Sequence, residues 1–249
     1  PYSIPYRALY SENVENLFFA GRNISMTHMA MSSIRVMATC ALLGEAVGKA
    51  AAVAVRNGIG PHEVYLEHMK QVQTLLLNED CFLPSRTRQI SEVCRHASLF
   101  GADDTIRNGQ DRAHEIYHTQ GSEAACQITA GEEIRYRFPE TLLSCVHLVF
   151  DSDLNRSTLP VSECERYHSM RACQRLDSPQ LCMPKTLCRE FLLLGERGGK
   201  REELLHVTDN RKRCWHLNLN KALDGLVLIP ISGWGESGRI PVISFDFEG

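Results

Sequence analysis

Ala20-Gly21-Arg22, followed by His28 and Arg35, are the residues of this 249-residue chain whose types and spacing could do chemistry. A short apolar segment, Val14 to Ala20, stops at Gly21, and a long helix rich in small residues follows after a brief loop. A helix that starts beyond such a break leaves backbone N–H groups without intrahelical partners, pointing at whatever lies in front of them. That arrangement suits an anion or a developing oxyanion. Gly21 lets a ligand come close to the backbone because it has no Cβ. Arg22, His28 and Arg35 add donors and charge around the same turn.

The elements that must hold this turn follow from periodicity and cap signals. Val14 to Ala20 reads as a strand, and the helix after it is expected to begin at Ser32 or Ser33 and to stop at Asn57-Gly58, since Ser caps a helix start and Asn-Gly its end. Gly44 and Gly48 lie one turn apart, and Ala41, Ala51 and Ala52 extend a face that admits close approach of another backbone. The apolar run from Val36 to Val55 carries Glu45 and Lys49 near its middle, where charge is most costly in hydrocarbon, so it reads as buried in protein rather than as a membrane span. A second helix follows Gly60-Pro61, with Val64, Met69, Val72 and Leu75 to Leu77 as its apolar positions.

Beyond residue 100 the periodicity becomes that of strands. "IRYRF", "CVHLVF", "CREFLLL", "LLHVT", "CWHLNL", "LVLIPI" and "PVISFDF" are short segments separated by turn-rich stretches, which suggests an antiparallel β-sandwich or jelly roll. The fold class is therefore α+β: an N-terminal strand with long helices over residues 1–80, a connector at 81–100, and a β-sandwich over 101–249.

Other chemistry is sparse. A formal net charge of −3 gives no global field for binding nucleic acid or an anionic membrane. The ten Cys are irregularly spaced, with Cys164, Cys173, Cys182 and Cys188 the densest group, and no paired zinc spacing occurs, so no metal is expected and the thiols read as reduced in a cytoplasmic protein. His62 and His68, like His114 and His118, lack the carboxylate partner of a metalloprotease helix. "GERGGKRE" at Gly195 has the wrong glycine spacing for a phosphate loop and reads as a hairpin. Asp151, Asp153 and Asn155 imitate the start of a calcium loop, but Arg156 stands where Gly is needed, so a structural turn is favoured. Trp215 and Trp234 have two readings, sugar-stacking or core, and core is favoured in a sandwich of this size. The N-terminus has neither an initiator Met nor a signal-peptide pattern, and the chain looks cut from something longer.

The stretch "IPYRALYSENVENLFFAGRNISMTHMAMSSIRVMATCALLGEAVGKAAA" resembles the C-terminal flavin-contacting segment of FAD-dependent oxidoreductases, whose larger relatives include fumarate-reductase-type flavoproteins. The resemblance implies FAD as cofactor, with Ala20, Gly21 and Arg22 beside the ribityl and pyrophosphate portion and Ser32, Ser33 and Ile34 near the pyrimidine end of the ring. It implies a catalytic role for His28, in substrate positioning or proton transfer, with a structural hydrogen-bonding histidine as the alternative, and Arg35 reads equally as a substrate anchor or a structural ion-pair partner. A Met31-Ser32 pair replaces the Leu-Gly common in the family. The family grips adenosine and pyrophosphate through a strand, G-x-G-x-x-G and a later acidic residue, and that fingerprint as a whole is absent here. Half a flavin site is therefore expected, with this chain inactive alone and a missing Rossmann segment or a second chain as its partner.

The C-terminal part, from "GADDTIRNGQDRAHEIYHT" through "FDSDLNR" to the closing "PVISFDFEG", is similar to galactose-binding-like jelly rolls of the discoidin type. That similarity implies a possible carbohydrate ligand at the loops of one end. The alternative function is a non-catalytic binding module, for carbohydrate or protein, with a remnant flavoprotein segment.

Overall fold

In the computed structural model, which describes residues 2–112, 125–153 and 183–249, the chain divides into two units, Pro1–Gln89 and Ile90–Gly249. Thr27 opens the first helix of the N-terminal unit, α1 (His28–Ile34), its hydroxyl accepting from the Ala30 N–H at 3.3 Å. The next helix, α2 (Met37–Asn57), starts only after Val36, which is extended. A single helix beginning at Ser32 or Ser33 is therefore corrected. Both serines lie inside α1 and donate back to the carbonyls of Met29 and Ala30, so they serve the turn behind them instead of opening a new one. The far end is as the sequence indicates: Gly58 is left-handed at φ 65° and its N–H closes onto Ala54 and Val55.

The second predicted helix is also two, α3 (Pro61–Glu67) and α4 (Met69–Asn78), with the break at His68. Leu43, Ala50, Val53 and Ala54 of α2 form a core with Val64, Val72 and Leu76, roofed by Tyr6, Leu9, Ile24 and Ile34. Tyr6 stacks on Tyr65 at 6.2 Å between ring centres. The expected strand over Val14 to Ala20 does not form. One bridge, Tyr10 to Phe18, is all that pairs, flanked by Phe19 N–H to Leu9 O and Ser11 N–H to Leu17 O. A strand needs a neighbour along its length, and the described residues of this unit supply none.

The expectation that Val36 to Val55 is buried is corrected as well. Only one face of α2 is covered, while Met37 (88% exposed), Leu42 and Val55 (82%) face outward. By length and composition alone α2 is long and apolar enough to cross a bilayer.

The second unit contains α5 (Glu92–His96) and seven strands: β1 (Ser98–Phe100), β2 (Cys126–Thr129), β3 (Ile134–Phe150), β4 (Cys188–Arg197), β5 (Lys200–Val207), β6 (Cys214–Gly233) and β7 (Arg239–Glu248). All pairings are antiparallel, in the order β2-β7-β3-β6-β4-β5, with β1 added to β3. Segments read from sequence as separate strands are continuous here: "IRYRF" and "CVHLVF" are both β3, and "CWHLNL" and "LVLIPI" are both β6. Register shifts between Arg137 and Thr141, and between Leu143 and Cys145, absorb Pro139 and bend β3 without ending it.

These bends fold the sheet over its core as an antiparallel β-sandwich. Tyr136, Phe150, Phe191, Phe245 and Phe247 are fully buried at its centre. The Tyr136 hydroxyl donates to the Phe245 carbonyl at 2.7 Å, which satisfies the polar end of a buried ring. Residues 90–100 belong to this unit: Ser91 caps α5 at Cys94 and its hydroxyl donates to the Phe247 carbonyl at 2.6 Å.

Candidate functional site

Ala20 is extended, and Gly21 turns the chain at φ 84° into a short 3-10 turn, Gly21–Asn23, that packs against α1 and α2. A Cβ at Gly21 would come no nearer than 4.0 Å to Cys40 Cβ, so the backbone angle and not space demands glycine. Arg22 is exposed, as are His28 at the first position of α1 and Arg35 at its C-terminal cap. None of these three side chains makes a hydrogen bond or ion pair among the described residues.

Ser32 and Ser33 are exposed but engaged. Ser33 also accepts from the Tyr2 hydroxyl at 2.6 Å. The Ile34 side chain is buried in the core, and its carbonyl takes the Cys40 thiol at 3.7 Å. The open helix start is instead that of α2, where Val36 provides no side-chain cap to a 21-residue helix. The structure thus brings the Gly21 turn together with α1 and α2, and places the free N–H groups at Met37 to Thr39 rather than at the serines. In chemical character, an uncapped helix start, a left-handed glycine and an uncommitted Arg22 fit the charged parts of a dinucleotide.

Sequence reasoning passed over two arrangements. Pro5, Arg7, Tyr10, Glu12, Glu15, His62 and Glu63 help line an open cavity of about 1100 Å³ in the first unit, where the Tyr10 hydroxyl meets His62 Nδ1 at 3.0 Å. These residues come from opposite ends of the unit, so no local motif marks them. Gly233, Gly235 and Gly238 have the spacing of a dinucleotide fingerprint, but strands β6 and β7 flank them. With no helix behind it, that turn offers a phosphate no helix N-terminus.

In the second unit, Asp151 is a turn residue as expected, accepting the Asp153 N–H at 2.8 Å, and burial pushes its carboxyl above the usual range. Asn155 and Arg156, like His114, His118, Cys164, Cys173 and Cys182, lie outside the described residues. The described cysteines form no disulfide with one another; burial pushes Cys94 up to about 11 and Cys81, Cys145 and Cys188 up to about 12. No cluster of metal-ligating side chains occurs among the described residues.

Both tryptophans pack on the sandwich core and share one partner. Trp215 Nε1 donates to Asn210 Oδ1 at 3.0 Å, and Trp234 Nε1 to the Asn210 carbonyl at 2.8 Å. Asn210 is buried, and its amide donates to the Cys188 carbonyl. The outer faces are covered by cations: Arg189 lies 5.0 Å and Arg211 5.9 Å from the Trp234 ring centre, and Lys212 4.9 Å from that of Trp215.

The family model described as FAD dependent oxidoreductase matches residues 1–76. No curated protein matches the chain. Among solved structures, similar chains include a family 32 carbohydrate-binding module from Streptococcus pneumoniae EndoD (9% identity, 63% of this chain and 98% of that one, TM-score 0.42). The GH31 CBM32-2 module bound to GalNAc is 10% identical over 62% of this chain and 99% of its own, at TM-score 0.41. The family 32 module from C. perfringens NanJ, in complex with galactose, is 6% identical over 61% and 92%, at TM-score 0.37. The chain thus joins an N-terminal segment similar to the FAD dependent oxidoreductases to an antiparallel β-sandwich similar to family 32 carbohydrate-binding modules.

Proposed function

We propose that this chain is the C-terminal part of an FAD-dependent oxidoreductase, whose Gly21 turn and α2 start contact the flavin and whose dinucleotide-gripping half lies on another segment or another chain. The observation that carries this reading is the family match over residues 1–76, which spans the turn, α1, α2 and α3 together. Bound flavin would supply hydride acceptance or donation. The chain's own residues would hold charge and orient substrate: the N–H groups at the start of α2 favour negative charge on a neighbouring ring, and Arg22 pairs with phosphate. His28 and Arg35 are exposed beside the same turn, available to position a substrate or move a proton.

The test is the visible spectrum of the purified chain before and after incubation with FAD and desalting. A retained flavin spectrum that Gly21→Val abolishes supports the placement of the turn. Flavin retained equally by Gly21→Val overturns it. A colourless chain that gains flavin only when the dinucleotide-binding half is supplied supports the split site.

A second reading concerns the β-sandwich, as a saccharide-binding module. What favours it is the pair of half-buried indoles fixed by Asn210 at one surface, a rigid platform rather than two independent side chains.

A further inference from the structure

Resting on the saccharide reading of the second unit, we propose that the Trp215–Trp234 surface selects an acidic glycan, one carrying carboxylate or sulfate groups, over a neutral one. Neutral sugars are held on aromatic platforms by apolar ring faces laid on a bare indole. Here Arg189 and Arg211 sit over Trp234, and Lys212 over Trp215, so a neutral ring would have to displace cations already held by the indoles.

The same cations suit an oxyanion. A guanidinium over an indole carries five N–H donors, so that with Asp209 on part of each edge Arg189 and Arg211 still have donors to offer a carboxylate or sulfate. Arg189 and Arg211 remain 52% and 67% exposed at their side chains. Lys185 is exposed, its backbone against Gly235, the residue that follows Trp234. Asp209 is the carboxylate held within this group, 3.9 Å from Arg189 and 3.1 Å from Arg211, which aligns the two guanidiniums without matching the charge of Lys185, Arg189, Arg211 and Lys212 together. Of the next acids along the chain, Glu190 is taken by His206 at 3.2 Å, and Glu236 is exposed.

The support beneath is stiff. Asn210 receives both indole N–H groups and the Lys212 N–H, and its own N–H donates to the Arg189 carbonyl at 2.7 Å. The loop that carries Arg211 and Lys212 is thereby tied to the strand that carries Arg189. Charges held in place lose less entropy on binding than charges on free side chains. No large apolar side chain of residues 208–213 is offered for insertion into a bilayer, so a glycan is the better-matched polyanion.

The experiment measures binding of the full chain to polygalacturonate and to a neutral galactan of similar length, at low and high salt, with phosphatidylserine vesicles as a third probe. Polygalacturonate should bind more tightly than galactan, and the difference should shrink with salt. Arg189→Gln with Arg211→Gln should weaken it about tenfold or more, the loss expected for at least one charge-assisted contact. Unchanged thermal unfolding of that double variant shows that the sandwich is intact. If unfolding is disturbed, Lys212→Gln, whose exposed side chain has the indole face of Trp215 as its partner among the described residues, provides the same test.

Galactan binding as tight as polygalacturonate would overturn the acidic selectivity while leaving the saccharide reading standing. Binding to neither glycan would sink both. Polygalacturonate binding that none of these variants weakens would overturn the assignment of the surface, and binding to vesicles alone would replace the glycan with a lipid headgroup.

Discussion

The two units solve the burial problem differently. The second closes on itself: its aromatic centre of Tyr136, Phe150, Phe191, Phe245 and Phe247 is inaccessible, and its strands supply one another's hydrogen bonds. The first buries one face of α2 and leaves Met29, Val36, Met37, Leu42, Val55 and Leu66 more than half exposed. Apolar surface of that extent is what a chain presents where another surface belongs. The difference teaches that the sandwich encloses its own core, whereas the segment similar to the FAD dependent oxidoreductases leaves much of the apolar surface of its helices uncovered.

Breaking the core of the second unit should have the largest effect. Phe247→Ala removes a ring packed edge-on to Tyr136 at 5.2 Å and against Phe138 at 4.6 Å, and should cost about 3–5 kcal/mol in the unfolding of the sandwich. A chemical-denaturation midpoint that barely moved would mean the core is not closed as described. Next, Asn210→Ala strips the side-chain partner from the Trp215 indole, the Lys212 N–H and the Cys188 carbonyl, leaves the backbone bond from Trp234 in place, and should cost about 2–3 kcal/mol through unsatisfied buried groups, with a red shift in tryptophan emission.

In the first unit the sign should reverse. A Cβ at Gly44 or Gly48 meets nothing within 4 Å, so Gly48→Ala should raise the stability of this chain by about 1 kcal/mol through helix propensity. The same substitution should lower flavin retention once the partner surface is present, if that surface lies against the glycine face. Stabilisation in both settings would remove the glycine face from the interface.

The smallest effect belongs to the surface of the sandwich. Hydrogen bonds from Arg201 hold the Glu133 carboxyl below its usual range, so this pair stabilises above the ordinary carboxylate range and its contribution fades as pH falls through the lowered value. Being half exposed, it is screened, and Glu133→Gln should cost under about 1 kcal/mol at neutral pH and nothing in acid. Asp151 has the opposite sign. Burial raises its carboxyl, so its charge opposes folding as pH rises, and Asp151→Asn should raise the neutral-pH melting temperature while leaving the acid value unchanged. A gain that persisted in acid would show that the effect is not ionisation.

Legibility in the sequence followed the range of the interactions. The C-terminal stop at Gly58 was readable because a left-handed cap is a property of one residue and its neighbours. The start of α2 was not, because Ser32 and Ser33 have the chemistry of a cap and spend it on the preceding turn. The segment Val14 to Ala20 has the right residue types but, among the described residues, only the Tyr10–Phe18 bridge and its flanking bonds to pair with. The continuity of β3 through Pro139 was hidden for a related reason: proline ends most strands, and only a bulge opposite β6 lets this one go on.

The sequence by itself determined that the apolar segment breaks at Gly21, that the chain changes from helical to strand periodicity, and that no complete dinucleotide fingerprint accompanies the N-terminal segment. Those are statements about adjacent residues and their allowed backbone angles. Only the tertiary structure decided that the open helix start is at Met37, that Tyr10 meets His62, and that Arg189 and Arg211 converge on one indole. Each of these joins residues that are distant along the chain or sets two equally plausible local choices against each other. Packing selects among such choices, because it is the burial of Leu43, Val53 and Phe191 that fixes where the polar neighbours of those residues come to rest.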